Sequence, residues 1–380
     1  MQVTLVLTHA CNLACGYCYM GEHFARAMPD DVADAAVDLA FRQPGDPWIA
    51  FFGGEPLLEW ERMLAVGQAA TDRAAQEGRR LTLQVTTNGT LVTADRAREL
   101  AQRRYRVAVS LDGTREAHEA GRPARGGRSS FDAALAGARR LGEVGASLEI
   151  IAVTSPSNVR HLGASVAFLA DLPIERLTLN PCYEAAWSEE DLAAWERGLE
   201  EAAQVYEARM RSGRPLAMPT FDNKLLAAVK GGVGAREICG GGLRELAVAP
   251  SGRLYPCARL VGEDRGGRLV LGDVRRGPDE AAMNAIATGP ADPSCGPCAE
   301  RWRCGASCAC ANLAETGTTH LPGGVQCWHE RTSARIADDV GHRLLGREPC
   351  RTFVDWTYGS VARARRMPIW HDPLEGAPTS

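Results

Sequence analysis

This sequence predicts an α/β fold with a parallel sheet, followed by a smaller cysteine-rich domain, and two patterns carry that prediction. Six short runs rich in β-branched residues, at 3–8, 48–52, 81–87, 106–111, 148–154 and 176–180, alternate with helical segments. Strand and helix in alternation is the pattern of a parallel sheet with helices outside it. Past residue 238 the alternation gives way to cysteines at short fixed intervals. Six units followed by such a change suit a curved, incomplete barrel, although an open doubly wound sheet gives the same string of elements.

The helices announce their ends and faces. Thr93 precedes 94–104 and Ser130 precedes 131–141, each a hydroxyl placed to cap free backbone N–H groups. Ser188 stands three residues before Asp191, the spacing of a capping box. Leu192, Trp195, Leu199, Ala202 and Tyr206 then recur at three- and four-residue steps, so one face of that helix is predicted to be buried. The period breaks at Ser212-Gly213-Arg214-Pro215. The division is therefore a core at 1–215, a bridging segment at 216–238, a cysteine-rich domain at 239–349 and a tail at 350–380. Within the third region, 246–250, Ser251-Gly252 and 253–257 read as a β-hairpin that turns Cys239 towards Cys257. Phe353, Trp356, Tyr358 and Trp370 mark a tail that packs back on the body.

With 380 residues, 45% hydrophobic and 24% charged, the chain can bury a sizeable core. Its net charge of −4 gives no general attraction to nucleic acid or anionic lipid. The first residues lack the features of a signal peptide, and no apolar run approaches a membrane span. The expectation is a cytoplasmic protein with neither nucleic acid nor membrane as partner. In a reducing cytosol the thirteen cysteines read as metal ligands rather than as a disulfide framework.

The densest group is Cys11-Asn12-Leu13-Ala14-Cys15-Gly16-Tyr17-Cys18, on the loop leaving the first run. A structural zinc site takes four ligands, which His9 or His23 would have to complete, whereas a four-iron cubane held by three cysteines leaves one iron open. In parallel α/β folds the chemistry gathers at the carboxyl ends of strands. After the second run stands Gly53-Gly54-Glu55-Pro56, two residues without side chains and a carboxylate able to accept from an ammonium. A plain glycine turn beside a surface acid is the alternative. Asn88-Gly89 follows the third run and Ser110-Leu111-Asp112-Gly113 the fourth, both with turn-forming pairs common to any loop.

The spacing of Cys11, Cys15 and Cys18, with Tyr17 before the last, resembles the cluster loop of radical S-adenosylmethionine (SAM) enzymes, and Gly53-Gly54-Glu55-Pro56 matches a further element of that family. The resemblance favours the partial (β/α)6, TIM-like barrel. It implies a [4Fe–4S] cluster whose open iron chelates SAM and cleaves it to a 5′-deoxyadenosyl radical. It also implies that Glu55 and the Gly53–Gly54 backbone hold the SAM amino group, that Asn88 and Ser110 contact ribose or carboxylate, and that Arg122 is a carboxylate partner. Val153 and Thr154 would line the adenine site.

Farther on, Cys239-x12-Gly252-x4-Cys257 is followed by Cys295-x2-Cys298-x5-Cys304-x3-Cys308 and by Cys327, a spacing that chance does not produce. The array resembles the SPASM domain, the auxiliary-cluster extension of radical SAM enzymes that mostly modify peptides. By that family's interleaved assignment, Cys239, Cys257 and Cys308 bind one auxiliary [4Fe–4S] cluster and Cys295, Cys298, Cys304 and Cys327 the other, making three clusters in all. The first lacks a ligand, which Cys310, Cys350 or Cys182 supplies unless one iron stays open to a substrate thiolate. Two zinc ribbons are the alternative. Cys182 is also a candidate hydrogen-atom donor, against the reading of a buried unreactive thiol.

As a whole the chain resembles an oxidoreductase of the peptide-maturase type, one that oxidatively modifies, by crosslinking, a ribosomal precursor peptide. An external electron donor such as flavodoxin or ferredoxin is implied. With Cys11 so near the start, peptide recognition is expected to be intrinsic or supplied by a separate protein. An anaerobic sulfatase maturase, which forms formylglycine, is the competing reading. There an aspartate follows the second SPASM cysteine as base, where this chain has Ala258; Glu263, Asp264 and Asp273 are the nearby acids. A non-catalytic iron–sulfur or zinc scaffold is the third reading, and Gly53-Gly54-Glu55 argues against it.

Overall fold

In the computed structural model, which describes residues 1–233, 242, 244–287, 292–305 and 308–365, the six runs become six parallel strands. They are β1 (Gln2–Thr8), β2 (Trp48–Gly53), β3 (Thr82–Thr87), β4 (Arg106–Ser110), β5 (Ser147–Thr154) and β6 (Arg176–Pro181). Their spatial order is their chain order. A doubly wound sheet reverses its order at a switch point. Across these six strands there is no such reversal, which favours the incomplete barrel.

Between and after the strands lie α1 (Asp30–Arg42), α2 (Trp60–Gln76), α3 (Ala94–Gln102), α4 (Arg115–Gly121), α5 (Phe131–Glu143), α6 (Leu162–Ala170) and α7 (Glu189–Arg211). Thr93 caps α3, its hydroxyl accepting from Arg96 N at 3.2 Å, and Ser188 with Asp191 forms the reciprocal capping box of α7. Trp195, Leu199, Ala202 and Tyr206 are buried on the predicted face. Ser130 departs from expectation. Its backbone is already helical, and its hydroxyl bonds to Arg122 O and His118 Nε2 instead of to α5. A buried histidine and an orphan carbonyl outcompete the cap, because both lie where water cannot serve them.

The sheet does not stop at the expected core boundary. β7 (Glu245–Val248) pairs parallel with β1, Leu246 opposite Val3, and β8 (Arg253–Tyr255) returns antiparallel around Gly252 at φ +89°. β9 (Gly272–Asp273) and β10 (Gly277–Pro278) extend the sheet to ten strands, in the order β10-β9-β8-β7-β1-β2-β3-β4-β5-β6. The open flank of β1 offers unpaired backbone groups on a strand whose side chains are buried, and the hairpin satisfies them. The bridging segment contains α8 (Pro219–Lys230), started by a proline and closed by Gly231 at φ +83°. Beyond the hairpin come α9 (Glu280–Ala287), α10 (Ala309–Thr316), α11 (Gly324–Leu345) and α12 (Arg351–Arg365). α11 packs on α7 and α8, and α12 on the same pair. Phe353 is buried there, and Trp356 Nε1 donates to Asp222 Oδ1 at 2.9 Å. Tyr358 stays exposed, and Trp370 lies outside the described residues. Among the described residues no helix is long and apolar enough to cross a membrane.

Candidate active site

The cysteine loop leaves β1 at its carboxyl end and is tied to the segment after α4. Ala14 N donates to Pro123 O (2.9 Å), Gly16 N to Gly121 O (3.0 Å) and Arg125 N to Asn12 O (3.2 Å), with Leu13 buried as the apolar plug. Cys18 N donates to Cys15 O at 3.2 Å, a turn that carries the two thiols round together. Cys11, Cys15 and Cys18 all open on one cavity of about 300 Å³. Burial raises the pKa of each, that of Cys11 to about 11, while Arg122 works the other way on Cys15 and Cys18. Thiols so desolvated ionise on a metal centre, whose charge replaces the solvation they have lost. Among the described residues no three His, Cys, Asp or Glu side chains gather round a single ion. His23 Nε2 lies 3.6 Å from Cys18 Sγ and its Nδ1 lies 3.0 Å from His9 O. His9 itself is wholly buried, stacked on Phe24.

Gly53 and Gly54 lie against the backbone of that same loop. Gly54 N donates to Thr8 O and Glu55 N to Ala10 O, both at 2.8 Å, and a β-carbon on Gly54 would stand 2.2 Å from Ala10 O. The glycines therefore dock the second loop on the first while their backbone lines the cavity. Glu55 behaves differently from the expected ammonium partner. Its carboxylate sits fully buried behind the cavity wall and accepts from Leu57 N (2.9 Å), Thr87 Oγ1 (2.7 Å) and Asn88 N (2.8 Å). Burial raises its pKa against these three hydrogen bonds. As the cap of a one-turn helix it turns inward, and so braces the loops after β2 and β3 and positions Asn88.

Asp112, read from sequence only as half of a turn pair, is the hub of the opposite wall. Its Oδ1 accepts from Arg122 Nε (3.0 Å) and Val153 N (2.9 Å), and its Oδ2 from the Tyr17 hydroxyl. Arg122 lies over the Tyr17 ring at 5.2 Å and within hydrogen-bonding reach of Cys15. Burial pulls the Arg122 pKa down, but Asp112, Tyr17 and Cys15 raise it by more, so the guanidinium stays charged. The signal that could have found Asp112 was its place at the carboxyl end of β4, ten residues before a buried arginine. Asn88 Nδ2 donates to Asn12 Oδ1 (2.8 Å) and lies 3.9 Å from Cys11 Sγ. Ser110 and Val153 line the cavity, and Thr154 is buried behind it. Gly53, Gly54, Tyr17, Asn88, Ser110 and Arg122 are thus brought round the three thiols.

Beneath this wall His118 accepts from Asp112 N at 3.4 Å and meets Ser130 Oγ at 2.9 Å. Burial lowers its pKa from 6.5 to about 4. Between those values the unfolded chain binds a proton that the folded chain does not, so stability falls as pH falls. The expected loss from this ring is about 3 kcal/mol by pH 4, read from denaturant midpoints, and His118→Gln should remove it from the pH profile.

The far end of the cavity belongs to later elements: Cys182, Glu184, Glu245, Cys257 and Arg259 line it. Cys182 is buried, which raises its thiol pKa, with Sγ 3.8 Å from Glu184 Oε2. Glu184 pairs with Arg259 at 2.7 Å, and Glu245 accepts from Thr4 Oγ1 at 2.8 Å. These two carboxylates escaped the sequence reading, which pointed to Glu263, Asp264 and Asp273. Asp264 is engaged by Ser251, Arg253 and Tyr255, Glu263 accepts from Glu22 N, and Asp273 sits in β9. In the cysteine array Cys298 N donates to Cys295 O (3.3 Å), and Cys327 lies close enough to both to feel their charge. Cys304 follows the one-turn helix Arg301–Arg303. Cys308 opens α10 with Sγ 3.2 Å from Cys310 Sγ, whereas Cys350 Sγ faces Met210 O at 3.5 Å. Cys239 lies outside the described residues.

Residues 5–168 match the model of the radical SAM superfamily. Over 330 residues the chain is 27% identical to a serine-type anaerobic sulfatase-maturating enzyme of Klebsiella aerogenes, covering 83% of this chain and 80% of that protein. It is also 27% identical over 265 residues to the mycofactocin maturase MftC of Mycolicibacterium smegmatis, covering 67% and 63%. Among solved structures, anSMEcpe with bound AdoMet matches with a TM-score of 0.74 at 17% identity, over 90% of this chain and 97% of that one. Streptococcus suis SuiB bound to the precursor peptide SuiA matches with a TM-score of 0.60 at 17% identity, over 86% and 75%. The structural likenesses speak for the fold alone. The incomplete parallel barrel, the three-cysteine loop at the end of β1 and the superfamily match overlap, so residues 5–168 form a domain that matches the radical SAM superfamily.

Proposed function

We propose that this chain is a maturase that uses SAM to modify oxidatively, by crosslinking, a carbon of a ribosomally made precursor peptide. One observation carries the reading: the three thiols of the first loop and Cys257 of the C-terminal array line the same cavity. A radical generator and an electron acceptor would then share one substrate space. Three desolvated thiols beside a buried guanidinium suit an anionic cluster that brings its own metal cations. When bound, a [4Fe–4S] cluster and SAM supply reductive cleavage to a carbon-centred radical.

The chain's own residues do the rest. Cys11, Cys15 and Cys18 hold iron, and the Gly53–Gly54 backbone, Asn88, Ser110 and Arg122 surround the space left for SAM. Asp112 keeps Arg122 charged and fixes Tyr17, while Leu13 seals the loop from water. Cys295, Cys298, Cys304 and Cys327 form the second auxiliary site of a SPASM domain, and the electron comes from a flavodoxin or ferredoxin. Relatives named as maturases, and a fold neighbour with a bound precursor peptide, support a peptide substrate. Formylglycine formation is the second reading, favoured by the long match to the Klebsiella aerogenes enzyme and opposed by Ala258.

The test is anaerobic reconstitution, reduction and mass spectrometry with SAM and two kinds of peptide. About twelve irons per chain are expected, with 5′-deoxyadenosine released and abolished in Cys15→Ala, and two hydrogen atoms lost from a precursor peptide encoded beside the gene. Conversion of a sulfatase-derived peptide to formylglycine would establish the second reading. Zinc without sulfide would sink both.

A further inference from the structure

Two thiols at the start of α10 and one from the β7–β8 hairpin lie near Arg259. Cys257 ends the β7–β8 hairpin, Cys308 precedes α10 and Cys310 lies in its first turn. Residues two apart on a helix point to different sides. Here Cys308 is the extended N-cap, at φ −71° and ψ 103°, and that bend brings its sulfur 3.2 Å from that of Cys310. Cys257 is within hydrogen-bonding reach of Cys310. We infer that Cys310, together with Cys257 and Cys308, ligates an iron–sulfur cluster, and that Cys182 and Cys350 do not. The inference rests on the reading of the C-terminal array as a cluster-binding domain.

A cysteine that merely fills a core packs against aliphatic carbon. Cys310 is 7% exposed, yet its sulfur faces two other sulfurs and a guanidinium. Arg259 is held over the Tyr19 ring at 5.1 Å, with Glu184 as its ion-pair partner and Cys310 and Cys308 within its field. Placed beside these sulfurs, the half-buried Arg259 would help balance the negative charge of thiolate-bound iron. The rival ligands point elsewhere. Cys350 faces the Met210 carbonyl at the end of α7, and Cys182 faces Glu184. With Cys310 added to the Cys239, Cys257 and Cys308 of the SPASM resemblance, four thiolates are available, so the position otherwise left open to a substrate thiolate is taken by the protein and this cluster transfers electrons without binding substrate.

The experiment removes the first cluster so that only the C-terminal array is read. A Cys11→Ala, Cys15→Ala, Cys18→Ala protein is reconstituted anaerobically and assayed for iron, sulfide and the electron paramagnetic resonance of the reduced form. About eight irons per chain are expected. Adding Cys310→Ala should remove about one to four of them and alter one cluster signal. The altered cluster should then respond to an added small thiol, as the parent does not. Cys310→Ser, nearly isosteric, should keep the fold and still shift that signal, whereas Cys350→Ala and Cys182→Ala should change neither reading. Iron content and signal unaffected by both Cys310 variants would overturn the inference while leaving the array reading intact. A parent protein without iron and sulfide would overturn both.

Discussion

Asp112→Asn is expected to destabilise the protein by about 3–5 kcal/mol, because it strands a buried charge. The Asp112 carboxylate is wholly buried, the Arg122 side chain is 9% exposed, and Tyr17 and Val153 N also lean on the same two oxygens. An isosteric amide keeps the shape and loses the charge. Arg122 cannot shed its proton, so the cost falls on the fold. The measurement is denaturant unfolding of the metal-free protein. Arg122→Met in the same chain should recover part of the loss, since a neutral pair of similar volume leaves no charge stranded. The cysteine loop is tied to 121–125, so Asp112→Asn should also hold less iron after reconstitution. A cost below about 1 kcal/mol would mean that the pair is hydrated, and that its role in holding the wall is wrong.

Gly54→Ala is the second large effect, with a different cause. Backbone conformation is not the obstacle, because only Gly53 of the two has positive φ. The obstacle is space: the added carbon would meet Ala10 O at 2.2 Å, Ala10 C at 2.6 Å and His9 O at 2.8 Å. All three are backbone atoms, so no side chain can swing away, and the cysteine loop itself must move. A loss of about 3 kcal/mol or more is expected, at the upper end for overpacking. Gly16→Ala, in the same loop with nothing within 4 Å of the added carbon, should cost under about 1 kcal/mol. Equal unfolding midpoints for the two variants would refute the docking of the two loops.

What was legible in the sequence is what neighbours along the chain decide. The six strands, the Thr93 and Ser188 caps and the turn at Gly252 each depend on a few adjacent residues, and each is found where the pattern put it. Ser130 shows the limit. Its local context suits a cap, and His118 and the Arg122 carbonyl claim its hydroxyl because folding brings them to it. Glu55 shows the same limit in the site: sequence marks it as an acid after two glycines, but whether that acid faces the cavity or braces its wall depends on Thr87 and Asn88, more than thirty residues away.

By itself, then, the sequence determined the alternation of strands and helices, the three-cysteine loop and the spacing of the later cysteines, since each is written in short-range order. Folding decided that β7 lies along β1, 241 residues distant at the Thr4–Glu245 hydrogen bond, and so draws Cys257 into the cavity of the first cysteines. It likewise set Cys257 within reach of Cys310 and turned Cys350 to the Met210 carbonyl. A parallel pairing between strands so far apart leaves no mark on either one alone, because the open edge of β1 accepts any strand whose backbone it can satisfy, and only the packed whole selects which.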